Sequence, residues 1–405
     1  MKKAFVHATI IPVEGEVIHD GTILVAEGKI LAIGGPSVDI GEAEIIDCSG
    51  KFLTPGLIDP HSHVGLFEEG AGPNYQDANE MSSTITPYLR VVDAIYPEDM
   101  GFWDARKAGV TTLGLTPGSA NLIGGQFAVV KTNRGKMADE MVIKSPAGMK
   151  FALGENPKRV GASKNRSPST RMANAYHIRE ALYKALEYKE EWEQYQQSLE
   201  VEERKPKEEQ KPVKKPKRDL GLEALVELLD RQYPARFHSH RADDIRTAIR
   251  LADEFGFDIV IDHATEGHKI AEFLAERQVP SVVGPLLTSR SKRELVNRSV
   301  GGPGKIMEAG GVVCLTCDTP VIPIYMLREM MILATREGLD PSQGLAIITI
   351  NPARVLGVDD RVGSLVPGKD ADLVIWDGDP MDARSKVLHT FIEGDEVYSR
   401  EQDGF

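Results

Sequence analysis

Short, continuously apolar runs alternate with helical patterns through the middle of the chain, and this rhythm constrains the fold more than any other feature of the sequence. The runs lie at 111–115, 150–153, 235–237, 259–261, 281–283 and 312–315, with helical segments such as 245–255 and 270–277 between them. A strand that is apolar along its whole length must be covered on both faces, which a parallel sheet flanked by helices achieves. The expected class is α/β, with a (β/α)8 TIM barrel ranked ahead of an open doubly wound sheet.

The two ends have a different texture. Residues 4–48 and the C-terminal segment carry short β-rich runs, such as 22–25, 30–33, 372–376 and 387–392, broken by glycine turns. These sequence-distant pieces are expected to pair into a small β-sandwich of residues 1–52 and 361–405, leaving 53–360 for the barrel. A chain of 405 residues has room for both. The stretch at about 181–218, rich in Glu, Lys and Gln, reads as a charged insertion: an exposed helix followed by a flexible loop. Its lysines have no interleaved aromatic residue to stack a base, and the net charge of −13 repels a phosphate backbone, so nucleic acid is not an expected partner. Three cysteines are too few for a disulfide framework, and the CxxC pair Cys314 and Cys317, set in an apolar run, reads as buried and structural. No stretch approaches the roughly eighteen apolar residues of a membrane span, and the N-terminus turns polar by His7. The expectation is a cytoplasmic protein with no membrane partner.

Histidines gather where the apolar runs stop. His61-Ser62-His63 follows the run that starts at Phe52, and alternation along a strand sends both imidazoles to one side, within reach of a single ion. His238 and His240 follow the run at 235–237, and His263 follows the run at 259–261. Asp318 closes the last run. An aspartate there serves as a turn residue in many proteins, but beside these histidines it reads as a metal ligand that also moves the proton of an attacking water. His7, His19, His177, His268 and His389 lack this setting and read as structural or surface groups.

Taken in order, His61-x-His63, His238, His263 and Asp318 resemble the amidohydrolase superfamily, which carries HxH after the first barrel strand, histidines after the fifth and sixth, and aspartate after the eighth. The segments 54–63 and 108–112 resemble the family's first and second strand signatures, and 351–353 and 363–374 resemble the segment that returns from barrel to β-sandwich in its imidazolonepropionase, dipeptidase and deacetylase branch. The resemblance implies a barrel, one or two divalent ions with zinc foremost, and hydrolysis of a C–N bond by metal-activated water, with Asp318 as the catalytic acid and base. It also implies an anionic bridge between two ions, which Lys150 as a carbamate or Glu155 could supply. Members often form homo-oligomers.

For the substrate, the expectation is a small molecule bearing a carboxylate, such as an N-acyl amino acid, a dipeptide or a cyclic amide acid. The basic loops around Arg159 and Arg290, with Arg241 beside His240, suggest arginine clamps for it. His240 itself is expected to contact substrate. Two other functions share the same residues: a deaminase acting on an aminated ring, and a non-catalytic scaffold that keeps the barrel.

Overall fold

The computed structural model describes residues 2–403. The N-terminal segment gives β1 (Lys3–Ile10), β2 (Ile18–Ala26), β3 (Lys29–Gly34), β4 (Glu44–Asp47) and β5 (Phe52–Pro55). The middle gives β6 (Leu57–Ser62), β7 (Val110–Leu115), β8 (Ile123–Gln126), β9 (Ala128–Lys131), β10 (Val142–Lys144), β11 (Met149–Ala152), β12 (Ala235–Ser239), β13 (Ile259–His263), β14 (Ser281–Val283) and β15 (Val313–Leu315). The C-terminal segment ends the set with β16 (Leu373–Trp376), β17 (Val387–Ile392) and β18 (Asp395–Ser399).

Strands from both chain ends share one eight-stranded sheet, in which β16 pairs antiparallel with β5 and β1 runs parallel to β5 and β4. Side-chain alternation gives β1 two apolar faces: Phe5, Ala8 and Ile10 enter one cluster, Ala4 and Val6 another. The sheet curls. β1 and β17 stand three strands apart in the order, which in a flat sheet is about 14 Å. The rings of Phe5 and Phe391 nevertheless meet at 5.0 Å between centroids.

The middle of the chain forms two further sheets. β11 to β15 run parallel in sequence order, each apolar strand covered as its composition requires, and β6 pairs parallel with β7. The closed barrel expected from the sequence is not traced by one continuous ladder among the described residues. Where a third parallel strand would stand, β8 runs antiparallel to β11 and β9 antiparallel to β7. The two arcs touch at both margins through irregular hydrogen bonds: Phe127 N–H to Gly148 O at 2.7 Å on one side, His63 N–H to Thr319 O at 3.0 Å on the other.

The charged segment near 181–218 belongs to a helix that begins earlier, at Arg171, and runs 33 residues to Glu203. Asn174, Ala175, Ile178, Ala181, Leu182, Ala185 and Tyr188 form its buried face at helical spacing, and the turns beyond Tyr188 bury nothing fully. No helix among the described residues is long and apolar enough to cross a membrane.

A buried ionic knot ties the end-built sheet to the middle of the chain. Lys131, at the end of β9, lies 2.6 Å from Asp370 and 2.9 Å from Asp372, with all three side chains almost wholly buried. Burial alone would lower the Lys131 pKa, but Asp372 and Asp370 hold it above its ordinary value. Removing one partner of such a group strands the others without a counter-charge. Lys131→Met should therefore cost about 3 kcal/mol of unfolding free energy. Urea denaturation followed by circular dichroism checks this, and a loss within about 0.5 kcal/mol, as for a surface change, would contradict it.

Candidate metal centre

The first and last strands of the parallel region are held in register by one carboxylate. Asp59, fully buried in β6, accepts from His61 N–H at 3.0 Å and from Cys317 N–H at 2.9 Å. Burial pushes its pKa up to about 6 against these backbone donors. The Thr316 hydroxyl adds a second tie by donating to His61 O at 2.7 Å and accepting from Asp318 N–H at 2.9 Å. These contacts support an uncommon backbone: Asp318 has φ of 54°, and His263 and Ala264 have φ of 73° and 41°. Left-handed conformations cost non-glycine residues of order 1 kcal/mol each and gather at functional sites.

The result is a compact group of ionisable side chains at the C-terminal ends of the parallel strands. His61, His63 and Asp318 form one set of mutually close ligand atoms, and His238, His240 and His263 another, each within 4.8 Å. The sets adjoin: the rings of His61 and His263 stand 4.8 Å apart, and His263 Nδ1 lies 3.9 Å from Asp318 Oδ2. Asp318 Oδ1 is 3.2 Å from His63 Nε2 and 3.5 Å from His61 Nε2.

Neighbouring acceptors orient the rings. Carbonyl oxygens only accept, so His63 Nδ1–H donates to Thr116 O at 2.7 Å and His263 Nδ1–H to Gly284 O at 3.0 Å, leaving each Nε2 with its lone pair. His61 turns Nδ1 toward Asp262 Oδ2 at 3.1 Å. Desolvation lowers the pKa of His63, His238, His240 and His263, the last to about 3, so these imidazoles are neutral at neutral pH. Asp318 is the reverse case: burial would raise it, yet His263, His61 and His63 pull it well below the carboxylate range. Neutral nitrogens around an ionised carboxylate are what a divalent cation requires. Buried atoms without hydrogen bonds fit the same reading, namely Nε2 of His61, Nε2 of His240 and Nζ of Lys150. Left unmatched, such groups cost about 1–3 kcal/mol each.

The two residues considered for an anionic bridge are placed differently. Lys150, fully buried in β11, points its Nζ at Asp262 from 3.9 Å, and its charge is felt by His63, His238, His240 and His263. Burial pushes its pKa down to about 8, despite Asp262 and Asp318. Glu155 instead opens the helix Glu155–Ser163, where its N–H donates to Glu294 Oε1 at 2.8 Å.

The arginines expected to clamp substrate are not gathered at the cluster. Arg241 pairs with Asp243 at the surface at 2.8 Å, Arg290 donates to Val296 O at 3.0 Å, and Arg159 is exposed. Their side chains meet nearby acceptors or solvent. His240, expected beside substrate, sits 4.7 Å from His238 and 4.8 Å from His263, ring to ring, and so stands in a ligand-capable set. Away from the cluster, His7 pairs with Asp20 and His389 with Glu396. Cys314 and Cys317 are buried free thiols.

Several groups were not singled out from sequence. Asp262 faces Arg236 at 2.6 Å as well as His61 and Lys150. Asn156 Nδ2 donates to Ser119 Oγ at 2.8 Å and lies 3.3 Å from His238 Nε2, while Lys292 Nζ donates to Asn156 Oδ1 at 3.4 Å. Burial lowers the Lys292 pKa against the pull of Glu294, Glu155 and Asp318. Lys292 itself belongs to the basic loop of Arg290, whose charges the sequence offers to a substrate carboxylate.

A sequence model of the amidohydrolase family matches residues 210–398. An amidohydrolase of Thermotoga maritima MSB8, known from its crystal structure, is 43% identical, superposes with a TM-score of 0.92, and is matched over 98% of this chain and 100% of its own. Amidohydrolase tasK of Hapsidospora irregularis is 29% identical over 92% of this chain, which spans 39% of that protein's length. An imidazolonepropionase of Symbiobacterium thermophilum is 27% identical over 89% of this chain and 85% of its own length. The chain belongs to the amidohydrolase superfamily and is an enzyme that acts on carbon–nitrogen bonds.

Proposed function

We propose that the enzyme is a metal-dependent hydrolase that opens the C–N bond of an amide or cyclic amide. The convergence of His61, His63, His238, His263 and Asp318 at one mouth, with the pKa of His63, His238 and His263 lowered by burial and that of Asp318 held well below the carboxylate range, carries this reading. Divalent ions held by these residues, zinc foremost, would acidify a water and polarise the substrate oxygen. His240 offers a further nitrogen. We read the two arcs as a (β/α)8 barrel interrupted at its third strand, spanning 53–360, and the end-built sheet as a β-sandwich of 1–52 and 361–405.

Asp318 has the position for two proton transfers. As a carboxylate beside the imidazoles it accepts a proton from the attacking water. It then returns that proton to the departing nitrogen, so that an amine leaves and a carboxylate remains. Asp262 keeps His61 Nδ1 engaged, and Thr116 and Gly284 do the same for His63 and His263. Lys150 is our choice over Glu155 for the anionic bridge, since its nitrogen lies inside the cluster without a hydrogen bond. The ammonium first gives up one proton; the neutral amine then adds to carbon dioxide, forming an N–C bond and releasing a second proton to solvent, so that two protons leave as the cation becomes an anion.

Three measurements test this. Elemental analysis of the purified chain should find one or two divalent ions per chain, and their removal should abolish hydrolysis; full activity in the stripped chain would overturn the reading. Asp318→Asn should lower kcat by about a hundredfold or more, read as amine release, whereas ammonia release from ring amines would transfer the assignment to a deaminase. Equilibration with ¹³C-labelled bicarbonate should give a carbamate carbon signal that Lys150→Ala removes, and its absence from the unaltered chain would leave the bridge to another group.

A further inference from the structure

The loop after β14 brings one cation toward the histidines. Lys292 is half-buried, its Nζ donates to Asn156 Oδ1, and Asn156 in turn reaches His238. Among the described residues no carboxylate lies within ion-pair reach of it. The other basic groups of these loops are already engaged or turned away. Arg171 pairs with Asp244 at 2.9 Å and with Glu294 at 2.7 Å, Arg241 pairs with Asp243, and Arg159 and Arg290 are exposed.

The loop that carries Lys292 is also tethered. Glu294, two residues along, is buried and accepts both from Glu155 N–H and from Arg171, which pins the loop to the helices Glu155–Ser163 and Arg171–Glu203. A half-buried ammonium with no carboxylate in direct contact, only the more distant Glu294, Glu155 and Asp318, costs free energy that an anion in the cleft would offset. One point charge matches one carboxylate. The guanidiniums of Arg171 and Arg241 are already paired with Asp244, Glu294 and Asp243.

We propose that Lys292, positioned by Asn156 and by the Glu294 anchor, binds a carboxylate of the substrate beside the scissile C–N bond. This rests on the hydrolytic reading of the same site, and it moves the carboxylate contact expected of the loop arginines to a lysine.

The test uses the full chain in two arms. In the first, the metal-replete enzyme is assayed on N-acetyl amino acids paired with their C-terminal carboxamides. The acids should be favoured by about tenfold or more in kcat/KM, the size of one lost hydrogen bond to a charged group. Lys292→Met should erase that preference mainly through KM, and Lys292→Arg should keep part of it. In the second arm, ligand-observed NMR follows the same pairs titrated into chelator-treated chain: the acids should bind more tightly than the carboxamides, and Lys292→Met should remove the difference. Acid binding that depends on Lys292 without any hydrolysis would sustain the anchor and sink the hydrolytic reading. Hydrolysis with equal treatment of acids and carboxamides would overturn the anchor alone. No Lys292-dependent difference in either arm would overturn it as well.

Discussion

The buried Asp59 carboxylate holds the site together. Its two oxygens take the N–H groups of His61 and Cys317, residues that stand at opposite ends of the parallel region in sequence. The Thr316 hydroxyl and the backbone bond from His63 to Thr319 join β6 to the turn after β15 as well. The register these contacts set places Asp318 within 3.5 Å of both imidazoles of the HxH pair. A buried carboxylate that grips two backbone N–H groups suits a centre whose ligands come from remote parts of the chain.

The electrostatics follow from burial. Desolvation lowers the pKa of His63, His238, His240 and His263, while His263, His61 and His63 hold Asp318 below the carboxylate range, so the mouth presents lone pairs beside an ionised carboxylate. Arg236 and Asp262 beneath them form a pair that is closed to solvent. That pair supplies a carboxylate to His61 without lending the mouth a net charge.

How much of this could be read from sequence depends on whether the signal was local. His61 and His63 obey strand alternation, so their shared direction was legible, and the apolar runs marked β11 to β15 because parallel strands must be covered on both faces. Asp262 was not legible as a partner of the site. Adjacent residues of a regular strand face opposite sides, and only the left-handed turn at His263 lets Asp262 and His263 both approach His61. The antiparallel β8 and β9 replace a parallel strand that no apolar run had announced. The arginines illustrate the opposite error, since a charge in a loop declares its sign but not its partner. Arg171 and Arg241 pair with aspartates of the scaffold, and Lys292 is the group that turns inward.

The pairing of β5 with β16 has a consequence for how the molecule is made. Residues 52–55 leave the ribosome early, and the strand that covers their open edge, 373–376, emerges more than three hundred residues later. At about 5–20 residues per second, that edge waits tens of seconds, presenting unpaired backbone groups to any other nascent chain. Loop closure of this span also enters the folding rate through its long sequence separation. The edge of β5 is thus completed only after the whole span between it and β16 has been made.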